Sequence, residues 1–186
     1  MKLILITPPT CFVEEDKIIT ALFEEGLDLL HLRKPDIAPM YAERLLTLIP
    51  EQYHKRIVVH ENFYLKDEYM LKGIHLNSRN PHIPDNYKGH ISHSCHTLEE
   101  VKECKKGCDY VFLSPVFDSI SKQSYHSNYT PEEIKKAYKA GIIDKKVIAL
   151  GGIDEDNIRQ VKDYGFGGAA ILGALWDKFD MRCDKD

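Results

Sequence analysis

Eight short, nearly continuous apolar runs constrain the fold of this chain more than any other feature of its sequence. The runs are residues 3–7, 27–32, 56–60, 73–76, 90–94, 110–114, 146–150 and 168–172. Runs of this kind are typical of strands that are buried on both faces of a sheet. Since segments of helical period separate most of them, the pattern predicts parallel strands that alternate with helices.

The number of runs favours a closed barrel over an open sheet. A doubly wound sheet needs only about five strands, whereas eight strand and helix units predict an α/β fold, a single (β/α)8 TIM barrel over residues 1–186. Residues 77–89 hold two prolines and no apolar period, so we expect a reduced helix after strand four. With 186 residues the barrel is slightly short, because roughly 200 or more are usual.

Capping patterns mark the starts of three predicted helices. Thr97 stands three residues before Glu100, which is capping-box spacing, and Thr130 precedes a proline at a first helical position. Asp154 is the expected cap of a third helix, which Gly165 closes.

Charge and hydropathy limit the partners that the chain can have. Its 25 basic and 29 acidic residues are spread along the sequence without a basic block, so we expect no nucleic-acid partner. The apolar run at the amino terminus is too short for a signal peptide. No stretch approaches the roughly 20 apolar residues that span a bilayer, so we expect no membrane contact and a cytoplasmic location.

The five cysteines are an odd number without disulfide-framework spacing, which is typical of a reducing compartment. Cys104 and Cys108 could form a metal pair. No second pair of ligands stands at zinc-like spacing, however, so the sequence does not favour a zinc site.

Glycines follow the last two apolar runs, Gly151 and Gly152 after the seventh and Gly173 after the eighth. Backbone N–H groups beside glycine can approach an anion closely, and a helix N-terminus directly behind them would add a favourable dipole. The loops after strands seven and eight of such barrels often bind phosphate, and we predict a phosphate site here. The alternative is that the glycines only make a tight turn.

Other polar residues follow the earlier runs, at the carboxyl ends of strands where such barrels build active sites. Arg33 and Lys34 could direct at least one cation toward an anionic group, or they could be a solvated basic pair. His31 alternates with Arg33 and could also face inward, although a lone histidine in a buried strand is more often a core residue. The loop after the sixth run could contact phosphate oxygens through its hydroxyl groups and its lysine, or it could simply be flexible.

Six short motifs occur along nearly the whole chain in a fixed order. They are HLRK, IVVHEN, GIHLNSRN, SHSCHTLEE, SPVFDSISK and IALGGI. Together they resemble the thiamine phosphate synthase and TenI family. The resemblance implies a transferase of thiamine biosynthesis that joins hydroxymethylpyrimidine pyrophosphate to thiazole phosphate with loss of pyrophosphate. It implies Mg²⁺ as cofactor and phosphorylated pyrimidine and thiazole molecules as partners, with a possible homo-oligomer.

The resemblance also implies roles for individual residues. The residues expected to take part in catalysis are Arg33, Lys34, His60, Ser94 and Lys122. Those expected to bind substrate are His31, Asn62, His96, Ser119, Ser121, Gly151, Gly152 and Gly173. Those expected to bind the metal are Glu61 and Asn80.

The chain departs from the family pattern at the pyrophosphate end. Pro35 occupies the position of a lysine, for which the neighbouring Lys34 could substitute. Asn80 replaces a metal-binding aspartate, which should weaken magnesium binding because this ion relies on one or two carboxylates. Two other functions therefore remain open. One is a TenI-like thiazole tautomerase with His31, His60 or His96 as its base, and the other is a non-catalytic barrel that binds thiazole or thiamine phosphate.

Overall fold

A computed structural model of the chain describes residues 1–118 and 129–180. Its parallel strands form a closed barrel in sequential order. The strands are β1 (Lys2–Ile6), β2 (Leu29–Leu32), β3 (Ile57–Val59), β4 (Gly73–Leu76), β5 (His90–Cys95), β6 (Tyr110–Leu113), β7 (Val147–Leu150) and β8 (Gly168–Ile171). The predicted (β/α)8 barrel is confirmed, and each predicted run overlaps its strand.

Helices follow most of the strands. They are α1 (Glu15–Glu24), α2 (Pro39–Leu48), a 3₁₀ helix (Glu51–Arg56), α3 (Leu65–Glu68), α4 (Leu98–Cys104), α5 (Pro131–Lys139), α6 (Ile158–Asp163) and α7 (Gly173–Asp180). Residues 77–89, all of them described, contain no helix, which confirms the predicted reduction after strand four. Within residues 1–118 and 129–180, none of the helices has the length and apolar character that crossing a membrane requires.

Two of the predicted caps are confirmed. The hydroxyl of Thr97 accepts a hydrogen bond from the amide of Glu100 at 3.1 Å, and α4 begins at Leu98, directly after Thr97. Thr130 and Glu133 form a capping box at the start of α5, where the hydroxyl and the carboxylate each accept a backbone amide of the other residue. Each cap satisfies N–H groups that lack an intrahelical partner.

The chain divides into two compact units. The amino-terminal unit is Ile4–Ser92, and the carboxyl-terminal unit is Met1–Leu3 with the described residues from His93 onward. The core of the amino-terminal unit includes the fully buried Leu30, Ile57 and Ile74, and that of the carboxyl-terminal unit includes Val111, Ile148 and Ala169. The removal of these strand residues from water stabilises each unit. A single domain over residues 1–186 stays a prediction.

Candidate active site

Three histidines from neighbouring strands meet inside the amino-terminal unit. His31 on β2 and His75 on β4 are fully buried, and His60, directly after β3, is 4% exposed. Nδ1 of His31 lies 2.8 Å from Nε2 of His60, and the rings of His60 and His75 stack with centroids 4.1 Å apart. Burial, followed by the neighbouring imidazoles, holds the pKa of His31 and of His60 well below its usual value. Both side chains are therefore neutral near physiological pH.

His75 is a member of this cluster that the sequence interpretation missed. Its Nδ1 lies 2.8 Å from the hydroxyl oxygen of Ser92 on β5, and both side chains are fully buried. The only signal in the sequence was a polar residue inside an otherwise apolar run. A hydrogen-bonded partner of this kind fixes the orientation of an imidazole ring.

A second cluster, at the carboxyl ends of β2, β3 and β4, brings two guanidinium groups close to one carboxylate. Arg79 donates from Nη2 to Oε1 of Glu61 at 3.0 Å, and the amide of Lys34 donates to Oε2 of Glu61 at 3.0 Å. Burial and the charge of Arg79 lower the pKa of the partly buried Arg33, which nevertheless stays charged. The hydroxyl of Thr7 accepts from the amide of Arg33 and donates to its carbonyl oxygen, which fixes the backbone there.

The turn after β4 holds two of these groups in place. Oδ1 of Asn77 accepts the amides of Arg79 and Asn80 at 3.0 and 3.1 Å. Nδ2 of Asn80 donates to the carbonyl oxygen of His60 at 3.0 Å. The turn therefore brings both Arg79 and Asn80 next to Glu61. Arg79 was not predicted as a site residue, although its position three residues after the fourth run placed it at a strand end.

The predicted substrate contact of Lys34 is wrong. Its Nζ lies 2.6 Å from Oε1 of Glu15 and also donates to the carbonyl oxygens of Pro8 and Thr10. Both charged side chains are 2% exposed. An ammonium group has three donors, and these internal acceptors engage all of them, so none remains for a pyrophosphate oxygen. Burial raises the pKa of Glu15, and the charge of Lys34 opposes that shift.

The carboxyl-terminal unit contains the glycines that were predicted to bind phosphate. Gly151 and Gly152 follow β7 with φ angles of 92° and 65°, in the region that favours glycine. A Cβ on Gly152 would lie 2.5 Å from the carbonyl oxygens of Phe117 and Asp118, and one on Gly151 would lie 2.9 Å from Cα of Pro115. A tight turn packed against the loop after β6 therefore already requires both glycines.

The N–H groups of these two glycines have no hydrogen-bond acceptor among the described residues. The carbonyl oxygen of Gly151 accepts from Phe117, and that of Gly152 accepts from the Asn157 side chain. Within the described chain, no group accepts a hydrogen bond from the N–H of Gly151 or Gly152, and both residues are partly exposed. Gly173 is the first residue of α7, where N–H groups have no intrahelical partner.

The prediction that a helix begins directly behind Gly152 is wrong. The carboxylate of Asp154 accepts the amides of Asp156 and Asn157 at 2.9 and 3.1 Å, and α6 begins only at Ile158. A turn closed by a side chain competes with the helix for the same amides, which explains the later start. A helix does begin close behind the neighbouring strand, because α7 starts two residues after the end of β8.

The other predicted residues differ in exposure. Asn62 lies in the loop after β3 with φ 53°, and its carbonyl oxygen accepts from Leu65 at the start of α3. Ser94 lies within β5 and is partly exposed. His96 is exposed, and its Nδ1 lies 3.1 Å from the carbonyl oxygen of Ser114. Three predicted residues lie outside the described part of the chain: Ser119, Ser121 and Lys122.

Comparisons with known proteins identify the family. The family described as thiamine monophosphate synthase matches residues 3–175. A thiamine-phosphate synthase of Actinobacillus succinogenes is 28% identical over 137 residues, 70% of this chain and 62% of the relative. The chain spans about three fifths of the length of the first curated relatives that it matches. A thiamine-phosphate synthase of Halalkalibacterium halodurans is 27% identical over 90% of this chain and 84% of the relative.

Solved structures agree with this assignment. The crystal structure of thiamine phosphate pyrophosphorylase from Bacteroides thetaiotaomicron is 63% identical, with a TM-score of 0.90 over 100% of this chain and 90% of that one. The thiamine phosphate pyrophosphorylase from Pyrococcus furiosus is 22% identical over 93% of this chain and 86% of that one, and its TM-score of 0.73 supports the fold alone. The chain belongs to the thiamine monophosphate synthase family, as its six motifs predict.

Proposed function

We propose that the chain is a thiamine-phosphate synthase, a transferase that joins hydroxymethylpyrimidine pyrophosphate to thiazole phosphate and releases pyrophosphate. The observation that carries this proposal is the pair of guanidinium groups, Arg33 and Arg79, beside Glu61 at the carboxyl ends of β2 to β4. The 63% identity with a thiamine phosphate pyrophosphorylase supports the same activity.

The reaction requires positive charge around the leaving group. When the C–O bond of the pyrimidine ester breaks, its electron pair leaves with pyrophosphate, and the ring methylene becomes a cation that the thiazole nitrogen captures. Fixed guanidinium groups stabilise the negative charge that develops on the departing oxygen. Arg33 suits this role because Thr7 holds its backbone. Arg79 suits it because its side chain, 45% exposed, can move from Glu61 to a phosphate oxygen.

The residues around Glu61 also fit a magnesium ion that takes part of its ligands from the substrate. Magnesium prefers oxygen ligands and commonly uses one or two carboxylates together with substrate phosphates and water. Glu61 would supply one carboxylate, and Asn80, held in the adjacent turn, would supply a neutral amide oxygen. When bound, the ion would neutralise part of the pyrophosphate charge. Because Arg79 pairs with the same carboxylate, we expect weak binding in the absence of pyrophosphate.

For the second substrate, we assign the thiazole phosphate to the N–H groups of Gly151, Gly152 and Gly173. Partly exposed amides at a turn and at the start of a helix are suited to a phosphoryl group. Neither glycine after β7 donates to another described group, which supports this assignment.

The proposal is tested by incubating the protein with both phosphorylated precursors, with and without magnesium, and measuring released pyrophosphate. Release that needs both substrates and the metal is the expected result. Each substrate alone serves as the control, since the capture step requires both. Absence of pyrophosphate release with both substrates and magnesium present would contradict the synthase.

The neutral pair His31 and His60 favours a thiazole tautomerase as the second candidate, because an uncharged imidazole can accept a proton. Thiazole isomerisation without metal and without pyrophosphate release would identify that activity. If neither reaction occurs but thiazole phosphate raises the unfolding temperature, the chain is a non-catalytic phosphate-binding barrel. A cytoplasmic location and a possible homo-oligomer stay predictions.

A further inference from the structure

Outside the candidate active site, three metal-ligating side chains of the carboxyl-terminal unit converge at β5 and α4. His93 and Cys95 are two residues apart on β5, so their side chains point to the same face of the strand. Cys104 is the last residue of α4. Nδ1 of His93 lies 3.9 Å from Sγ of Cys95, and one ligand atom from each of the three residues lies within 4.8 Å of the other two.

A fourth thiol, that of Cys108, lies near Cys104 but outside this group of three. Cys108, four residues after α4, is 9% exposed and interacts electrostatically with Cys104 and Cys95. The ammonium of Lys146 also acts on the Cys108 thiol, and it donates to the Cys108 carbonyl oxygen at 2.9 Å. Folding thus brings a second pair of ligands, His93 and Cys95, next to Cys104. The spacing of Cys104 and Cys108 in the sequence does not reveal this pair.

We propose that His93, Cys95 and Cys104 bind one zinc ion, with Cys108 as the fourth ligand. Zinc in structural sites is tetrahedral and takes thiolate and imidazole ligands. With bonds of about 2.3 Å to sulfur and about 2.0 Å to nitrogen, neighbouring ligand atoms lie roughly 3.5–3.8 Å apart. The 3.9 Å between Nδ1 of His93 and Sγ of Cys95 is close to this spacing. Since the three ligand atoms all lie within 4.8 Å of one another, zinc binding would require them to approach one another by only about 1 Å.

Exposure and charge both suit a structural zinc site. His93 and Cys104 are partly exposed and give the ion a path from solvent, whereas Cys95 is fully buried. Three thiolates around zinc carry a net charge of minus one, which the ammonium of Lys146 offsets. A closed set of four protein ligands leaves no position for a substrate, so the ion would link β5 to α4 and the loop after it.

Proton release provides a second signature of the site. Zinc binds the thiolate form of cysteine, so each cysteine ligand must lose its proton when the ion binds. Zinc binding should release protons, and the affinity should rise with pH.

The test uses the full chain, stripped with a chelator and kept reduced with a phosphine that does not bind zinc. Titration with zinc should give one ion per chain and raise the unfolding temperature. Cobalt in its place should give the intense visible absorption of a tetrahedral thiolate site. Cys104→Ser and His93→Ala should each weaken zinc binding at least tenfold, and Cys108→Ser should weaken it less.

Cys11→Ser is the matched control, because Cys11 is an exposed free cysteine in the amino-terminal unit, and it should bind zinc as the wild type does. Absence of stoichiometric zinc binding by the folded wild-type chain would overturn the proposal. Wild-type zinc affinity in both Cys104→Ser and His93→Ala would overturn it as well. Loss of the ion in His60→Gln with retention in both of those variants would assign it to the histidine cluster instead.

Discussion

The loops after β2, β3 and β4 differ from the loops after β7 and β8 in what they offer to an anion. The first set presents charged side chains, of which Arg33, Arg79 and Glu61 lie together. The second set presents backbone N–H groups at Gly151, Gly152 and Gly173. A charged side chain can turn to any partner within reach, whereas a backbone amide points where the turn directs it. The role of the first set therefore depends on tertiary contacts, and that of the second set on local conformation.

Neighbouring residues in the first set illustrate this dependence. Arg33 and Lys34 are adjacent cations at the same strand end, yet the Lys34 ammonium is buried against Glu15 while Arg33 remains partly exposed near Arg79. Substitutions at both sets of loops test this difference between side-chain and backbone groups.

The largest expected effect is on stability, at Lys34. Lys34→Met leaves the buried carboxylate of Glu15 without a counter-ion, which should lower the free energy of unfolding by about 3–5 kcal/mol. Urea unfolding measures the loss. Without Lys34 the pKa of Glu15 rises further above its unfolded value, so the deficit should shrink as the pH falls and the carboxyl group takes up a proton.

The double variant Glu15→Leu with Lys34→Met is the control for this substitution. It removes both charges, so it should recover most of the lost stability. Equal stability of Lys34→Met and the wild type would mean that the ammonium is not committed to the ion pair, and Lys34 would again be a candidate substrate contact.

The next effect is at Gly152. Gly152→Ala forces a side chain into a left-handed conformation and places its Cβ 2.5 Å from two carbonyl oxygens, so we expect a loss of about 3 kcal/mol or more in urea unfolding. Gly141→Ala is matched, because Gly141 has a similar φ of 69° but open space around the added Cβ. It should lose only about 1 kcal/mol. Similar losses in the two variants would show that the contact with the loop after β6 is unimportant.

A smaller effect is expected on catalysis at the guanidinium pair. Arg33→Ala and Arg79→Ala should each lower kcat/KM for pyrophosphate release at least about tenfold, a loss of roughly 1.4 kcal/mol of transition-state stabilisation. Arg44→Ala, on the exposed surface of α2, should leave the rate unchanged. Wild-type rates in both Arg33→Ala and Arg79→Ala would remove the two arginines from the leaving-group site.

The smallest effect is expected on metal dependence at Asn80. Asn80→Asp restores a second carboxylate beside Glu61, so the magnesium concentration for half-maximal rate should fall about fivefold, or ~1 kcal/mol. Asn86→Asp adds the same charge at an exposed turn and should not change the magnesium requirement. An unchanged requirement in Asn80→Asp would place the metal away from this turn.

Much of the fold could be predicted from the sequence, because its signals are local. Apolar runs of strand length located all eight strands to within a few residues, and the prolines of residues 77–89 indicated the reduced helix. The caps at Thr97 and Thr130 were predicted for the same reason, since both partners of each bond lie within three residues. Asp154 was less reliable because its carboxylate closes a turn with amides that a helix would also use.

The site was only partly predictable. Arg33, Glu61 and the glycines could be predicted as site residues because each follows an apolar run in the sequence. The same rule did not reveal that Arg79 pairs with Glu61, or that His75 is the third buried imidazole. Each of these contacts joins residues that belong to different strands or to the loops after them, and no local sequence pattern indicates such a distance.

The order of strands and helices and the positions where the chain turns follow from the sequence, since apolar period, proline and glycine act through neighbouring residues. Which charged side chains pair with each other depends instead on the folded arrangement of distant residues. Glu15 engages Lys34 and Arg79 engages Glu61 across 19 and 18 residues of chain, respectively. Hydrogen bonds form between atoms that folding brings within about 3 Å, and separation along the chain does not encode that distance.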